Sequence, residues 1–222
     1  MGHVAPALQA GTLTEALRQR TWALHTAAER SGIINDILRK KADRNGYALL
    51  LRNVIPAYRA MERALERHRH LPMFQVFARP ELYRADKIAA DLSVIAGLNW
   101  ERDLVRLPAA DDYAACIAQS AEGGGARLVA HAYVRYFGDL SGGQILKGLL
   151  GKTLGLQPEA LSFYEFPGID DPSAFKNAMR RAIDVDAAAA CEPEIVIDEA
   201  MRAFEHNIAV STAVQDFLKR NA

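Results

Sequence analysis

Three groups of residues have side chains and spacings suited to chemistry. His25 and Glu29 stand four positions apart, one helical turn. Imidazole is the commonest metal-ligating side chain, and a carboxylate one turn on can accept the proton of its second ring nitrogen, the usual way such a ligand is oriented. Most histidines bind no metal, so the pair alone leaves ligand and ordinary core or surface residue both open. The second group lies in residues 129–143, where Gly138, Gly142 and Gly143 surround Asp139 and Ser141. Each interior glycine costs a helix roughly 1 kcal/mol relative to alanine. What it provides is backbone that can bend and approach a flat partner with no Cβ in the way. Small residues more often serve helix packing, but Asp139 and Ser141 add polarity where a packing face wants none, and Asp139 is expected on the same surface as the glycines. The third group is Lys176 and Arg180, on one helix face by their spacing. Such a pair is usually just a solvated surface.

Helices must hold all three groups. Thr12 and Glu15 match a capping box and start a first helix whose apolar stripe is Leu13, Leu17, Leu24 and Ala28. Arg18, Trp22, His25 and Glu29 fall on an adjacent stripe, and Ser31-Gly32 ends the helix. The pattern predicts a short helix over 33–39, a long one over 44–68 with Pro56 inside it, and others over 81–96 and 111–121. Gly123-Gly124-Gly125 is a break before a long, bent helix over 126–154. Asp171 and Pro172 suit the cap and first position of a helix carrying Phe175 to Ile183. The last helix begins near Pro193. No period-two alternation appears, so the reading is an all-α, single-domain bundle over 12–222 after a flexible leader over 1–11.

Composition narrows the function classes. The chain has 222 residues, 50% of them hydrophobic, enough for one substantial core. Lys plus Arg equals Asp plus Glu at 27 each, so there is no basic excess to mark a nucleic-acid binder. Cys116 and Cys191 form no spacing motif and read as reduced thiols. No apolar run reaches the length of a membrane span, and the first residues lack the pattern of a signal peptide, so a cytoplasmic protein is expected. Gly151-Lys152-Thr153 imitates the end of a phosphate-binding loop, but Leu146 stands where its first glycine belongs. No Glu-x-x-His pair of a di-iron bundle occurs.

The same residues carry a family resemblance. The run His131-Ala132-Tyr133-Val134-Arg135-Tyr136-Phe137-Gly138-Asp139-Leu140-Ser141-Gly142-Gly143 is very similar to the distal-helix motif of the heme oxygenases. Leu24-His25-Thr26-Ala27-Ala28-Glu29 is similar to their proximal motif, and the two stand in family order. The resemblance spans roughly residues 12–218. It implies heme b, as both substrate and oxygen-activating centre, held between a proximal helix and a glycine-kinked distal helix. His25 would ligate the iron and Glu29 orient it. Gly138, Gly142 and Gly143 would leave room above the ring, and Asp139 would hold water that delivers protons to iron-bound oxygen, with Tyr133 and Arg135 in the same hydrogen-bond network. Arg18, Lys176 and Arg180 would hold the propionates, and Phe204 and Asn207 would line the site. His131 is expected to be structural. Trp22 departs from the lysine frequent in the family, which puts one propionate contact and the heme's orientation in question. The implied reaction consumes O2 and gives biliverdin, of the IXα type by Lys176 and Arg180, with CO and ferrous iron. Its electrons would come from a separate flavoprotein reductase or ferredoxin. The given sequence ends Phe217-Leu218-Lys219-Arg220-Asn221-Ala222, unlike the apolar anchor of membrane-bound members, so a soluble, bacterial-type form without a membrane anchor is expected. A non-catalytic heme carrier or sensor on the same scaffold is the alternative, in which Asp139 has no purpose.

Overall fold

A computed structural model describes residues 11–221; the expected leader lies almost wholly outside this range. The described residues form ten α-helices and no strand: α1 Leu13–Glu29, α2 Gly32–Leu38, α3 Arg44–His68, α4 Ala85–Ala96, α5 Trp100–Asp103, α6 Pro108–Ser120, α7 Leu128–Leu154, α8 Pro172–Arg181, α9 Ala188–Ala190 and α10 Pro193–Arg220. Short 3-10 turns fill several connections. A single apolar core runs through them, centred on α3, α7 and α10, with α10 packed against α1, α2, α3, α6 and α7.

Local chemistry sets the boundaries. Thr12 and Glu15 form the capping box at the start of α1, and Asp171 accepts from the N–H groups of Ser173 and Ala174 ahead of α8. Pro56 sits inside α3 without ending it, and α7 stays helical through Gly138, Gly142 and Gly143 until Gly155 turns left-handed at φ +62°. Gly32 also has positive φ, +57°, and a Cβ there would stand 2.3 Å from the Ser211 carbonyl carbon of α10. Strain and overlap act together, so Gly32→Ala is expected to cost about 3 kcal/mol, read as a lower urea midpoint.

Three features depart from the sequence pattern. The helix expected over 81–96 begins only at Ala85, because Arg84 is buried and donates to the carbonyls of Glu81, Leu82, Phe163 and Glu165, turning the preceding backbone inward. The helix expected from Asp111 begins at Pro108, where a proline at the first position needs no N–H partner. After α8 the chain continues as a π-helical segment, Ala182–Ala187, whose Asp184 carboxylate accepts from the Thr14 N–H and hydroxyl.

The start of α4 is capped from a distance: Glu62 of α3 accepts from the Arg84 and Ala85 N–H groups. Burial outweighs those bonds and lifts the Glu62 carboxyl from 4.5 to about 7. A raised carboxyl adds stability that is complete below its unfolded value and is lost as pH rises through the folded one. The window is therefore about pH 4.5 to 7, and the change is on the order of 3 kcal/mol. Glu62→Gln keeps an acceptor but no titratable proton. It should flatten the unfolding free energy across this window and leave the variant more stable than the parent above pH 7.

Candidate heme site

His25 lies one turn before the C-terminal end of α1 with its side chain 50% exposed, accessible to a ligand. Phe204 of α10 presses on it edge-on at 5.9 Å between ring centres. The Trp22 indole lies parallel to the imidazole, 1° from coplanar with centres 6.0 Å apart. Where a lysine would have reached for a propionate, this chain places an aromatic ring beside the imidazole. Glu29 stands on the expected side, but its Oε1 is 3.8 Å from Nδ1, beyond hydrogen-bond reach, so the anticipated orienting bond is not formed.

The glycines of α7 divide into two kinds. Gly138 and Gly142, one turn apart, are exposed, and a Cβ at either would meet nothing within 4 Å. Gly143 is buried, and a Cβ there would come 3.1 Å from the Tyr164 ring, so that glycine serves packing against the neighbouring turn. Of the three glycines, Gly138 and Gly142 thus leave open space beside α7, and Gly143 does not.

Asp139 is also corrected. One residue past Gly138 means about 100° around the helix, and its carboxylate is buried rather than set on the glycine surface. Its Oδ2 accepts from the Tyr58 hydroxyl at 2.7 Å, and that hydroxyl accepts from Arg135 Nη2 at 2.7 Å. Arg135 also donates to Asn207 Oδ1, and Asn207 in turn donates to the Tyr113 hydroxyl at 3.4 Å. Burial pushes the Asp139 carboxyl up, while Arg135, the Tyr58 bond and Arg84 pull it back. For Arg135, burial works against the charge, but Tyr58 and Asp139 more than compensate and hold the guanidinium above its ordinary value. Tyr133, expected in this network, stands apart from it: its ring packs on Phe137, centres 4.9 Å apart, near Arg18 and Arg180.

The cationic end gathers from two helices, α1 and α8, beside α7. Burial raises the Tyr133 phenol, and Arg180 and Arg18 oppose the rise, which puts α8 and α1 charges beside one α7 residue. Lys176 donates to the Ser141 hydroxyl at 3.1 Å, bridging α8 to the glycine stretch, and the Arg180 guanidinium lies 5.4 Å from the Phe137 ring centre. His131 points elsewhere, its Nε2 2.9 Å from Glu199 Oε1 in the core. An open pocket of about 590 Å3 beside Glu62, Glu66 and Tyr83 shares no residue with this group.

Two participants were not singled out in the sequence. Tyr58 follows the apolar spacing of α3 and reads as core, and only its partners reveal its use. Arg84 offers no local pattern at all. The arrangement as a whole suits a flat iron macrocycle: an accessible imidazole, a side-chain-poor helix face, a buried carboxylate and a set of cations.

Comparisons with known proteins identify the family. The heme oxygenase family model matches residues 11–213. A curated heme oxygenase 1 from Synechocystis sp. PCC 6803 is 36% identical over 199 residues, covering 88% of this chain and 82% of that protein. The crystal structure of heme oxygenase-1 from that cyanobacterium in complex with heme superposes with a TM-score of 0.85 at 34% identity, covering 95% and 96% of the two chains. The heme oxygenase structure from Leptospira interrogans also gives 0.85 at 34% identity, covering 91% and 99%. The fold is that of the all-α heme oxygenases. The chain belongs to the heme oxygenase family, and it is an enzyme. No helix among the described residues is long and apolar enough to cross a membrane.

Proposed function

We propose that this enzyme cleaves heme b to biliverdin, CO and ferrous iron, using O2 and electrons from a separate reductase or ferredoxin, in a cytoplasmic setting where its free thiols stay reduced. The observation that carries the reading is the pairing of an open, Cβ-free face at Gly138 and Gly142 with a buried carboxylate beside it on the same helix. A binding site alone has no use for Asp139. Heme, when bound, supplies the iron that activates O2 and the ring that is oxidised.

The chain's own residues then have distinct tasks. His25, packed between Phe204 and Trp22, would hold the iron. Gly138 and Gly142 would keep the space beside α7 clear for a flat ring and a small gas molecule. Asp139 holds and releases protons through ordered water, while Tyr58, Arg135 and Asn207 fix its position. Arg18, Lys176 and Arg180 meet the propionates and set the rotation of the ring, for which we infer cleavage at the α edge. Tyr133 and Phe137 border that cationic end.

Anaerobic titration with heme should give one equivalent of binding. Admission of O2 with a reductant should then replace the Soret band by a biliverdin spectrum. Heme that persists through O2 and reductant would mark a carrier or sensor instead.

A further inference from the structure

Behind the hydrogen-bonded residues of the heme site lies a cluster that heme cleavage does not use. Cys116 of α6, His131 of α7 and Glu199 of α10 bring one thiol, one imidazole and one carboxylate together, all buried. Cys116 Sγ is 3.4 Å from Glu199 Oε1, His131 Nε2 is 2.9 Å from the same oxygen, and all three ligating atoms lie within 4.8 Å of one another. We propose that these three side chains form a site for a divalent transition ion, Zn2+ foremost, independent of heme.

The geometry is close to what such an ion needs. A tetrahedral zinc with nitrogen and oxygen at about 2.0 Å and sulfur at about 2.3 Å places its donors about 3.3 to 3.6 Å apart. The sulfur–oxygen separation already matches, and the nitrogen–oxygen separation needs to open by about 0.4 Å. The donor set is also selective. A thiolate disfavours Mg2+ and Ca2+, and the mixture of sulfur, nitrogen and oxygen suits zinc. Arg202, its side chain half exposed, reaches in to Glu199 Oε2 at 3.3 Å and covers the cluster on its solvent side. Oε1 remains for the ion, and three protein donors leave a fourth position for water.

Placement suggests what the ion does. Each ligand comes from a different helix, so one ion would pin α6, α7 and α10 together. The Tyr113 ring lies 5.8 Å from the His131 ring and its hydroxyl accepts from Asn207, which accepts from Arg135. The ion would thus brace the rear of the residues that position Asp139.

Cobalt is the probe for the test. The full-length protein, with and without heme, is stripped of metal by chelator dialysis and titrated with Co2+. One equivalent should produce a near-ultraviolet thiolate-to-cobalt charge-transfer band and the intense visible bands of a tetrahedral ion, both removed by stoichiometric Zn2+. Cys116→Ser should lose the charge-transfer band, whereas Cys191→Ser and His25→Ala should keep it. Zn2+ should raise the Tm of the parent and of Cys191→Ser in proportion to its concentration. Absence of a thiolate band in the parent overturns the proposal even should Cys116→Ser fail to fold, and so does a band that survives Cys116→Ser; the cluster is then a hydrogen-bonded core only.

Discussion

Asp139→Ala should bind heme with unchanged stoichiometry and yield almost no biliverdin. Proton delivery by a positioned side chain contributes typically about 10^2 to 10^4 in rate. The loss should therefore be at least about 100-fold, read as bilin formed per heme in a single turnover. Some loss of stability will accompany it, because the Tyr58 hydroxyl and Arg135 lose their buried acceptor. Asp139→Asn separates the two effects. It retains the shape and an acceptor for Tyr58, yet cannot carry the proton, so it should fold well and remain slow. Normal biliverdin from either variant would remove Asp139 from the chemistry.

Gly142→Leu should act in the opposite sense on folding and on binding. With nothing within 4 Å of a Cβ there, the apoprotein accepts the side chain. The exchange even removes a helix penalty of roughly 0.8 kcal/mol, so the heme-free Tm should rise. The same side chain would occupy the space reserved for a flat ring, and heme affinity should fall at least 100-fold, about 2.7 kcal/mol. Gly143→Ala provides the contrast. Its Cβ meets Tyr164 at 3.1 Å, so it should lower stability while touching heme affinity far less. Were Gly142→Leu to bind heme as tightly as the parent, the open face would not be the heme's place.

The glycine stretch shows why some of the site was legible in the sequence. Helix-interior glycines are costly, so three in six residues advertise a requirement, and His25 four residues from Glu29 advertises another. Periodicity and caps likewise gave the helical class and the starts of α1 and α8. What the pattern did not resolve was which way each residue turns. Asp139 was expected beside Gly138, whereas the helical rotation between neighbours carries it inward to Tyr58. Tyr58 itself was hidden, because a tyrosine on an apolar stripe reads as core until its hydroxyl is seen between Arg135 and Asp139. Tyr133 and Arg135, two residues apart, were assigned to one network, and opposite faces of α7 separated them. The π-helical Ala182–Ala187 and the inward turn at Arg84 depend on partners far along the chain, Thr14 for the one and Phe163 and Glu165 for the other, which no local window contains.

The central claim is that His25 takes one axial position on a heme whose other face looks onto Gly138 and Gly142. Resonance Raman spectroscopy of the ferrous heme complex tests this most directly, through the iron–histidine stretch. The parent should show that band, His25→Ala should lack it while still holding heme, and added imidazole should restore it. An iron–histidine band that persists unchanged in His25→Ala would contradict the account, for a different histidine would then hold the iron.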